Sequence, residues 1–248
     1  MPVDLKGKRI IVTGGATGIG RATAIRTAVY GGQVVVFDVN DAAANETITD
    51  ITESGGNARY WHVDVTDGSS VQKAVDAAVQ WMSGVDVLVH LAGVLQGASV
   101  ELEEFPEETW DTVVDINLRG TFLVTKNVVR HMKARQSGTI ILASSGAGVL
   151  GGSSSFAYGS SKGGVHGLTL VMQGALEKYG IRVNDILPGA VQTPLKVAQV
   201  QKTYELTGDK ETYDRTMKSL VSPDAISKVI AFMASDEASV LRGSVRTA

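Results

Sequence analysis

Short runs of apolar, β-branched residues alternate along the chain with longer stretches in which apolar residues recur every three or four positions. Runs such as Ile10 to Val12 and Val34 to Phe37 are typical of strands buried on both faces of a parallel sheet. The pattern predicts strands at 9–13, 33–38, 57–63, 85–91, 138–143 and 181–187, and helices near 18–31, 41–54, 67–82, 107–134 and 153–179. Such alternation predicts right-handed βαβ units, and therefore an α/β fold with a doubly wound parallel sheet.

The chain shows no internal division. No proline- or serine-rich linker, change of composition or repeat interrupts it, so residues 1–248 are predicted to form a single domain. The strand–helix rhythm fails at about 190–220, where apolar positions such as Leu195 and Tyr204 mix with polar ones. This stretch is too long for an ordinary connection, and we expect it to carry short helices and to form a lid over a site.

Composition excludes several classes of function. Hydrophobic residues make up 44% of the chain and charged residues 20%, with a net charge of -3 and no basic block, so we expect no nucleic-acid partner. The absence of cysteine excludes disulfides and thiolate sites, and the four histidines lack ligand spacing, so no metal site is predicted. No apolar run reaches the roughly 18 residues of a membrane span, and no signal peptide precedes the first strand. We therefore expect a cytoplasmic protein without a membrane partner.

A glycine-rich turn follows the first predicted strand. It runs from Thr13 to Gly20, with glycines at 14, 15, 18 and 20, and a helical pattern begins directly after it. Glycine permits a sharp turn and a close backbone approach to a diphosphate, and the helix N-terminus offers free N–H groups to phosphate oxygens. The turn predicts a dinucleotide site that includes Gly14, Thr17, Gly18, Ile19 and Gly20.

The choice of cofactor follows from Asp38, which ends the second strand eighteen residues after Gly20. A carboxylate at this place can accept both hydroxyls of the adenosine ribose and repels a 2′-phosphate. The neighbouring residues Val39 and Asn40 carry no positive charge, so NAD is predicted rather than NADP. Alternatively, the carboxylate caps the next helix, a role that Asp41 fits at least as well.

The segment from Tyr158 to Lys162 resembles the Tyr-x-x-x-Lys motif of the short-chain dehydrogenase/reductase family. Other positions match that family's pattern in order: the turn from Thr13 to Gly20, Asp64 with Val65, Ala92 with Gly93, Asn117, Ser145, and Pro188 and Gly189 with Val191 and Thr193. The resemblance covers nearly the whole chain. It implies a Rossmann fold with strand order 3-2-1-4-5-6-7, a homo-oligomer (tetramer or dimer), and NAD-dependent interconversion of a secondary alcohol and a ketone.

The resemblance also implies a role for each matched residue. Asn117, Ser145, Tyr158 and Lys162 are expected to be catalytic. Asp64, Val65, Ala92, Gly93, Pro188, Gly189, Val191 and Thr193 are expected to bind the cofactor together with the glycine turn, Asp38, Tyr158 and Lys162. Asn117 would fix a bend in its helix and a water molecule, and Lys162 would bind the nicotinamide ribose.

Elementary chemistry supports Tyr158 as the acid/base. Tyr158 and Lys162 are four residues apart and share one face of a helix. A phenol has a pKa of about 10, which is too high for a base near neutrality, and a nearby ammonium and the cationic ring of NAD+ both favour the phenolate. Ser145 would hold the substrate oxygen by a hydrogen bond that strengthens as charge develops there.

Two segments depart from the family's pattern. His90 and Leu91 stand where many members have two asparagines that tie neighbouring strands together, and His90 is expected to be structural. After Gly243 the chain lacks the family's usual Asp-Gly-Gly turn, so the seventh strand is expected to be short or abnormal.

The residues around the expected substrate path leave the substrate open. Val94, Leu95, Gln96, Val149 and Phe156 are mostly apolar or small, which favours a neutral, moderately apolar alcohol or ketone. Two lysines of the expected lid, Lys196 and Lys202, keep an anionic substrate possible. The alternatives are a reductase of β-ketoacyl thioesters and a non-catalytic, nucleotide-sensing protein; Ser-His-Asp hydrolysis is weaker because no Gly-x-Ser-x-Gly motif is present.

Overall fold

The fold is built on one sheet of seven parallel strands in the order β3-β2-β1-β4-β5-β6-β7, as the resemblance implies. The computed structural model describes residues 3–247. The strands are β1 (Arg9–Thr13), β2 (Gln33–Asp38), β3 (Asn57–His62), β4 (Val87–His90), β5 (Gly138–Ala143), β6 (Ile181–Leu187) and β7 (Gly243–Arg246). All six predicted strands are present, and the seventh is a short strand of four residues that pairs with β6.

Helices cover both faces of this sheet. They are α1 (Gly18–Val29), α2 (Asp41–Glu53), α3 (Gly68–Met82), α4 (Glu107–Val114), α5 (Gly120–Arg135), the irregular turn α6 (Gly146–Val149), α7 (Phe156–Leu176), α8 (Pro194–Thr207), α9 (Lys210–Ser219) and α10 (Pro223–Ala234). Short 3-10 turns lie at Leu102–Glu104, Glu177–Tyr179 and Asp236–Ala238. Among these elements, no helix has both the length and the hydrophobicity of a bilayer span.

The core has two layers, one on each side of the sheet. Successive side chains of a strand point to opposite faces, so Ile10 and Val12 pack with α1 and α10, whereas Ile11 packs with α3 and α5. The central strands β1, β2 and β4 are apolar at consecutive positions because both layers must be filled there. This explains why the apolar runs in the sequence predicted the strands so closely.

The predicted helix at 107–134 is divided by a π-helical turn. Residues Asp115–Arg119 join α4 to α5, and hydrogen bonds there span five residues instead of the four of an α-helix. Asn117 lies buried at the centre of this turn. A π turn of this kind accommodates an extra residue and commonly occurs at functional sites.

The segment 190–220 contains α8 and α9, so the prediction of short helices there is confirmed. Its two ends meet: Val191 and Val221 form an isolated parallel bridge, with Gln192 N–H donating to the Val221 carbonyl at 2.8 Å. The two helices therefore form an excursion between Val191 and Val221, whose two ends lie side by side.

Candidate active site

A crevice of about 790 Å³ lies beyond the carboxyl ends of the strands, where the order of the sheet reverses between β1 and β4. Ligands of open α/β sheets bind at such a switch point. Every residue predicted to bind the cofactor lines this crevice, as do Ser145, Tyr158 and Lys162. Of the predicted site residues, Asn117 alone is absent from the lining, because its side chain lies just behind the wall.

The glycine turn fits a diphosphate because its backbone approaches the crevice without side chains. Gly14 has φ +65°, and a Cβ built there would lie 2.8 Å from the backbone nitrogen of Ala92. A Cβ at Gly20 would lie 1.9 Å from the carbonyl oxygen of Gly14. Side chains at these two positions would distort the turn, so the tight conformation requires glycine.

The start of α1 is open to an anion. Thr17 is its N-cap residue, but the side chain makes no capping hydrogen bond and the first turn contains no acidic residue. By contrast, Asn40 caps α2 and Asp67 caps α3 through side-chain oxygens. The unsatisfied N–H groups at the start of α1 are therefore available to phosphate oxygens.

Asp38 lies at the far end of the crevice with its carboxylate held in place. One oxygen accepts a hydrogen bond from Ala16 N–H at 2.9 Å, and the other accepts one from Asn40 N–H at 3.0 Å. The helix-capping alternative does not hold for Asp38, because Asn40 is the N-cap of α2 and accepts from Ala43 N–H. The two amides orient the carboxylate and leave lone pairs for a further donor.

Ser145, Tyr158 and Lys162 share one wall of the crevice. Ser145 follows β5 and accepts a hydrogen bond from Ala147 N–H at 3.2 Å, and it lines the crevice beside Tyr158. Tyr158 and Lys162 occupy successive turns of α7, whose N-cap Ser155 accepts from Tyr158 N–H. The Lys162 ammonium lies 5.8 Å from the centre of the Tyr158 ring and donates to the Ala143 carbonyl at 2.8 Å.

Burial dominates the protonation of this pair in the protein alone. It raises the pKa of Tyr158 above the ordinary value of 10.0, and the nearby Ser145 hydroxyl opposes this only in part. Burial also lowers the pKa of Lys162 from 10.5 to about 8. The expected lowering of the tyrosine pKa is therefore not present without a ligand, because desolvation of the phenolate outweighs a lysine that faces Ala143.

Asn117 connects three parts of the site. Its side-chain oxygen accepts from Val94 N–H at 2.8 Å, and its amide donates to the Val94 carbonyl at 2.9 Å and to the Ser161 hydroxyl at 3.0 Å. The π turn presents this amide to the loop after β4 and to the residue before Lys162. Asn117 thus ties the π turn to both segments through hydrogen bonds, and two of these bonds satisfy backbone groups of Val94.

His90 stands where many family members have an asparagine whose amide joins neighbouring strands, and it makes part of these contacts. Its Nδ1 lies 2.8 Å from the Thr13 hydroxyl, whose oxygen also accepts from the N–H groups of Leu91 and Ala92 at 3.2 Å. Its Nε2 has no partner among residues 3–247. Burial and the nearby Lys162 lower the pKa of His90 to about 3, so the ring is neutral near pH 7.

A buried carboxylate behind Ser145 was not predicted. Asp185 on β6 is fully buried and accepts hydrogen bonds from Ser144 Oγ at 2.5 Å and Ser244 Oγ at 2.5 Å, with His166 Nδ1 at 2.9 Å. It therefore links the loop after β5, the helix α7 and the strand β7. His62 lies on the edge strand β3, where it is exposed and its Nδ1 lies 2.8 Å from an Asp41 oxygen.

The substrate end of the crevice differs in part from the expectation. Val94 and Leu95 line it, whereas Gln96, Val149 and Phe156 do not. Phe156 is 43% exposed and packs edge-on against Phe105. The first turns of α8 also line the crevice, with residues that include Lys196 and Gln199. The sequence indicated Lys196 as part of a lid but did not indicate Gln199.

The fold, the switch-point crevice and the uncapped helix together define a dinucleotide-binding α/β protein. Residues 8–203 match the family model described as short chain dehydrogenase, and the chain belongs to this family. The family's fold binds a nicotinamide dinucleotide, and the glycine turn and the open start of α1 fit its diphosphate.

Individual relatives differ in their substrates. The chain is 34% identical over 241 residues to the 3-oxoacyl-acyl-carrier-protein reductase FabG of Thermotoga maritima, covering 97% of this chain and 96% of that protein. It is 35% identical over 235 residues to the cis-4-hydroxycyclohexanecarboxylate dehydrogenase of Sinomonas cyclohexanicum, covering 95% and 92%. The crystal structure of NAD+-bound xylitol dehydrogenase superposes with a TM-score of 0.92 at 31% identity, covering 98% of each chain.

Proposed function

We propose that this chain is an NAD-dependent dehydrogenase that interconverts a secondary alcohol and a ketone, with Tyr158 as the acid/base. The observation that carries the proposal is the shared crevice wall formed by Ser145, Tyr158 and Lys162, opposite the glycine turn. A non-catalytic, nucleotide-sensing protein has no need for a hydroxyl pair and a buried amine at the place where the hydride carrier would bind.

Each residue has a distinct task in this proposal. The Ser145 hydroxyl donates a hydrogen bond to the substrate oxygen, and the Tyr158 oxygen accepts the proton of the alcohol as the ketone forms. The bound nicotinamide supplies the acceptor for the hydride. Lys162 turns from the Ala143 carbonyl toward the ribose and stabilises the phenolate. Asn117 positions Lys162 through Ser161 and holds the loop at Val94.

The cofactor is proposed to be NAD because Asp38 places a negative charge where a 2′-phosphate would lie. Its two backbone donors hold the carboxylate at the crevice edge, and Val39 beside it offers no cation. Replacing Asp38 with Asn, which removes the charge but keeps the shape, is expected to narrow the preference for NAD+ over NADP+ at least tenfold. The comparison of kcat/KM for the two cofactors measures this change.

The substrate is proposed to be a secondary alcohol with an apolar ring or chain, because Val94 and Leu95 line the end near Tyr158. The excursion of α8 and α9 would act as a lid, since its ends meet at the Val191–Val221 bridge. The reduction of β-ketoacyl thioesters is a second candidate, supported by the similarity to the Thermotoga maritima reductase. Asp38 argues against it, since such a reductase normally uses NADPH.

A panel of cyclic and linear secondary alcohols with NAD+ and NADP+, together with acetoacetyl-CoA and NADPH, tests these candidates by absorbance at 340 nm. Tyr158→Phe is expected to reduce kcat at least a thousandfold while NADH binding, followed by fluorescence, stays within threefold. Tyr179→Phe, outside the crevice lining, is the matched control and should keep full activity. Substantial turnover by Tyr158→Phe would refute the assignment of the acid/base.

We also propose that the chain forms a homo-oligomer through the helices that cover one side of the sheet. Phe122 on α5 and Leu170 and Val171 on α7 are 49%, 49% and 69% exposed, an unusual amount of apolar surface for outer helix faces. Light scattering during size exclusion should report a dimer or tetramer, and Val171→Asp should shift it toward the monomer.

A further inference from the structure

Lys196 occupies an unusual position at the edge of the crevice. It lies in the first turn of α8, where Thr193 Oγ1, the N-cap oxygen, accepts from Lys196 N–H at 3.2 Å. Its side chain lines the crevice and is partly buried, and burial lowers the pKa of its ammonium group. Lys202, on the same helix, is exposed and lies outside the lining.

The ammonium group of Lys196 is held in place but not neutralised. It donates to the Gln199 side-chain oxygen at 2.8 Å, while the Gln199 amide donates to the Thr203 hydroxyl at 3.2 Å. The second contact orients the amide so that its oxygen faces Lys196. No carboxylate among residues 3–247 comes within 4.0 Å of this ammonium. One of its three N–H donors therefore meets a neutral amide oxygen, and the other two have no hydrogen-bond acceptor among the described residues.

A partly buried cation without a counter-ion is unfavourable unless a ligand supplies one. The position of α8 indicates where that ligand would lie. A Cβ built at Gly18 would be 3.0 Å from Thr193 Cγ2, so the start of α8 abuts the glycine turn. Two oxyanions are expected within the same crevice, the diphosphate of the dinucleotide and any acidic group on the substrate.

We propose that Lys196, oriented by Gln199, binds an oxyanion in the crevice, either the diphosphate of the cofactor or a carboxylate of the substrate. The substrate alternative rests on the proposed function, whereas the diphosphate alternative requires only that the dinucleotide binds. In both cases the oxyanion acts as the counter-ion and accepts two charge-assisted hydrogen bonds from Lys196. Removal of the ammonium group should therefore weaken binding of the oxyanion about tenfold or more.

Binding measurements with Lys196→Met test this without relying on turnover. NADH is titrated by fluorescence and inorganic pyrophosphate by calorimetry on the free protein. Cyclohexanecarboxylate and its neutral counterpart cyclohexanol are titrated onto both the free protein and the protein–NADH mixture. Lys202→Met carries the same loss of charge on the same helix and is the matched control, and Lys196→Arg should restore most of the affinity.

Each outcome decides between the sources. At least tenfold weaker NADH and pyrophosphate binding would identify the diphosphate, and at least tenfold weaker cyclohexanecarboxylate binding with unchanged cyclohexanol would identify a substrate carboxylate. If Lys196→Met matches Lys202→Met for every anion, the proposal is wrong. A failure of the proposed function would be seen separately in turnover. Either Tyr158→Phe would retain activity, or no alcohol would be oxidised, while the affinities measured here could still change.

Discussion

The stability of the protein in mild acid should depend on one histidine that lies in the middle of the sheet. His90 is 2% exposed, and its ring is anchored to Thr13 on one side with no partner for Nε2 among the described residues. Protonation would place a charge in this apolar setting beside Lys162, and the pKa of His90 is accordingly lowered from 6.5 to about 3. In the unfolded chain the same ring is free to take up a proton near its ordinary pKa.

The sign and size of the effect follow from linkage. Between pH 6.5 and about 3 the unfolded state binds one more proton than the folded state at this position, so the unfolding free energy falls as the pH falls. The loss is about 1.4 kcal/mol per pH unit within that window. Between pH 7.5 and 5.0 it amounts to about 2 kcal/mol, since only the part of the interval below 6.5 contributes.

Urea unfolding at pH 7.5 and pH 5.0 measures this loss. His90→Asn removes the titrating ring, so its unfolding free energy should fall by about 2 kcal/mol less over the interval than that of the wild type. Thr13→Val breaks the hydrogen bond to the ring but keeps the histidine, and it should keep the full loss. If the unfolding free energies of His90→Asn and the wild type depend equally on pH, His90 takes up its proton in the folded state over the same pH range as in the unfolded chain. That result would refute the reasoning.

Two buried polar groups yield further predictions. Asn117→Ala should lower the unfolding free energy by about 3 kcal/mol in urea titrations, because it leaves the partly buried N–H and carbonyl of Val94 without these hydrogen bonds. Asn45→Ala, on the exposed face of α2, should cost less than about 0.5 kcal/mol. Asp185→Ala should cost about 3–5 kcal/mol by thermal or urea unfolding, while Asp236→Ala, which loses an exposed pair, should be nearly neutral. A near-neutral Asp185→Ala would mean that its three partners find other acceptors.

The sequence was sufficient for the sheet and for the crevice. The strands fill two core layers, so the apolar runs had to be consecutive, and the glycine turn had to follow the first strand for its backbone to reach the switch point. The π turn could not be predicted in the same way. Its cause is a set of bonds from Asn117 to Val94, 23 residues away, and to Ser161, 44 residues away. The helical periodicity of 107–134 contains no trace of such partners.

The buried carboxylate of Asp185 also could not be interpreted from the sequence alone. Asp185 interrupts an apolar strand, which was a visible signal, but its meaning depends on Ser144, His166 and Ser244, which lie 41, 19 and 59 residues away. Lys196 was noticed as a charge of the expected lid, yet only the fold shows that Gln199 turns its oxygen toward this ammonium. Long-range polar contacts of this kind are determined by packing and not by local pattern.

The raised pKa of Tyr158 leads to one more prediction. The protein alone keeps the phenol protonated, because burial outweighs the effect of the nearby Ser145 hydroxyl. Its ionisation must therefore be favoured by the positive ring of NAD+. Coupling between binding and ionisation is reciprocal, and loss of the proton must therefore tighten NAD+ by the same factor. The dissociation constant of NAD+ should fall by up to about tenfold per pH unit above neutrality, while that of NADH, whose ring is neutral, should change little. Lys162, with its pKa near 8, titrates in the same range, so calorimetry on Tyr158→Phe separates the two groups. If this variant retains the whole pH dependence, the phenol is not the group that senses the cofactor, and the acid/base assignment loses its electrostatic basis.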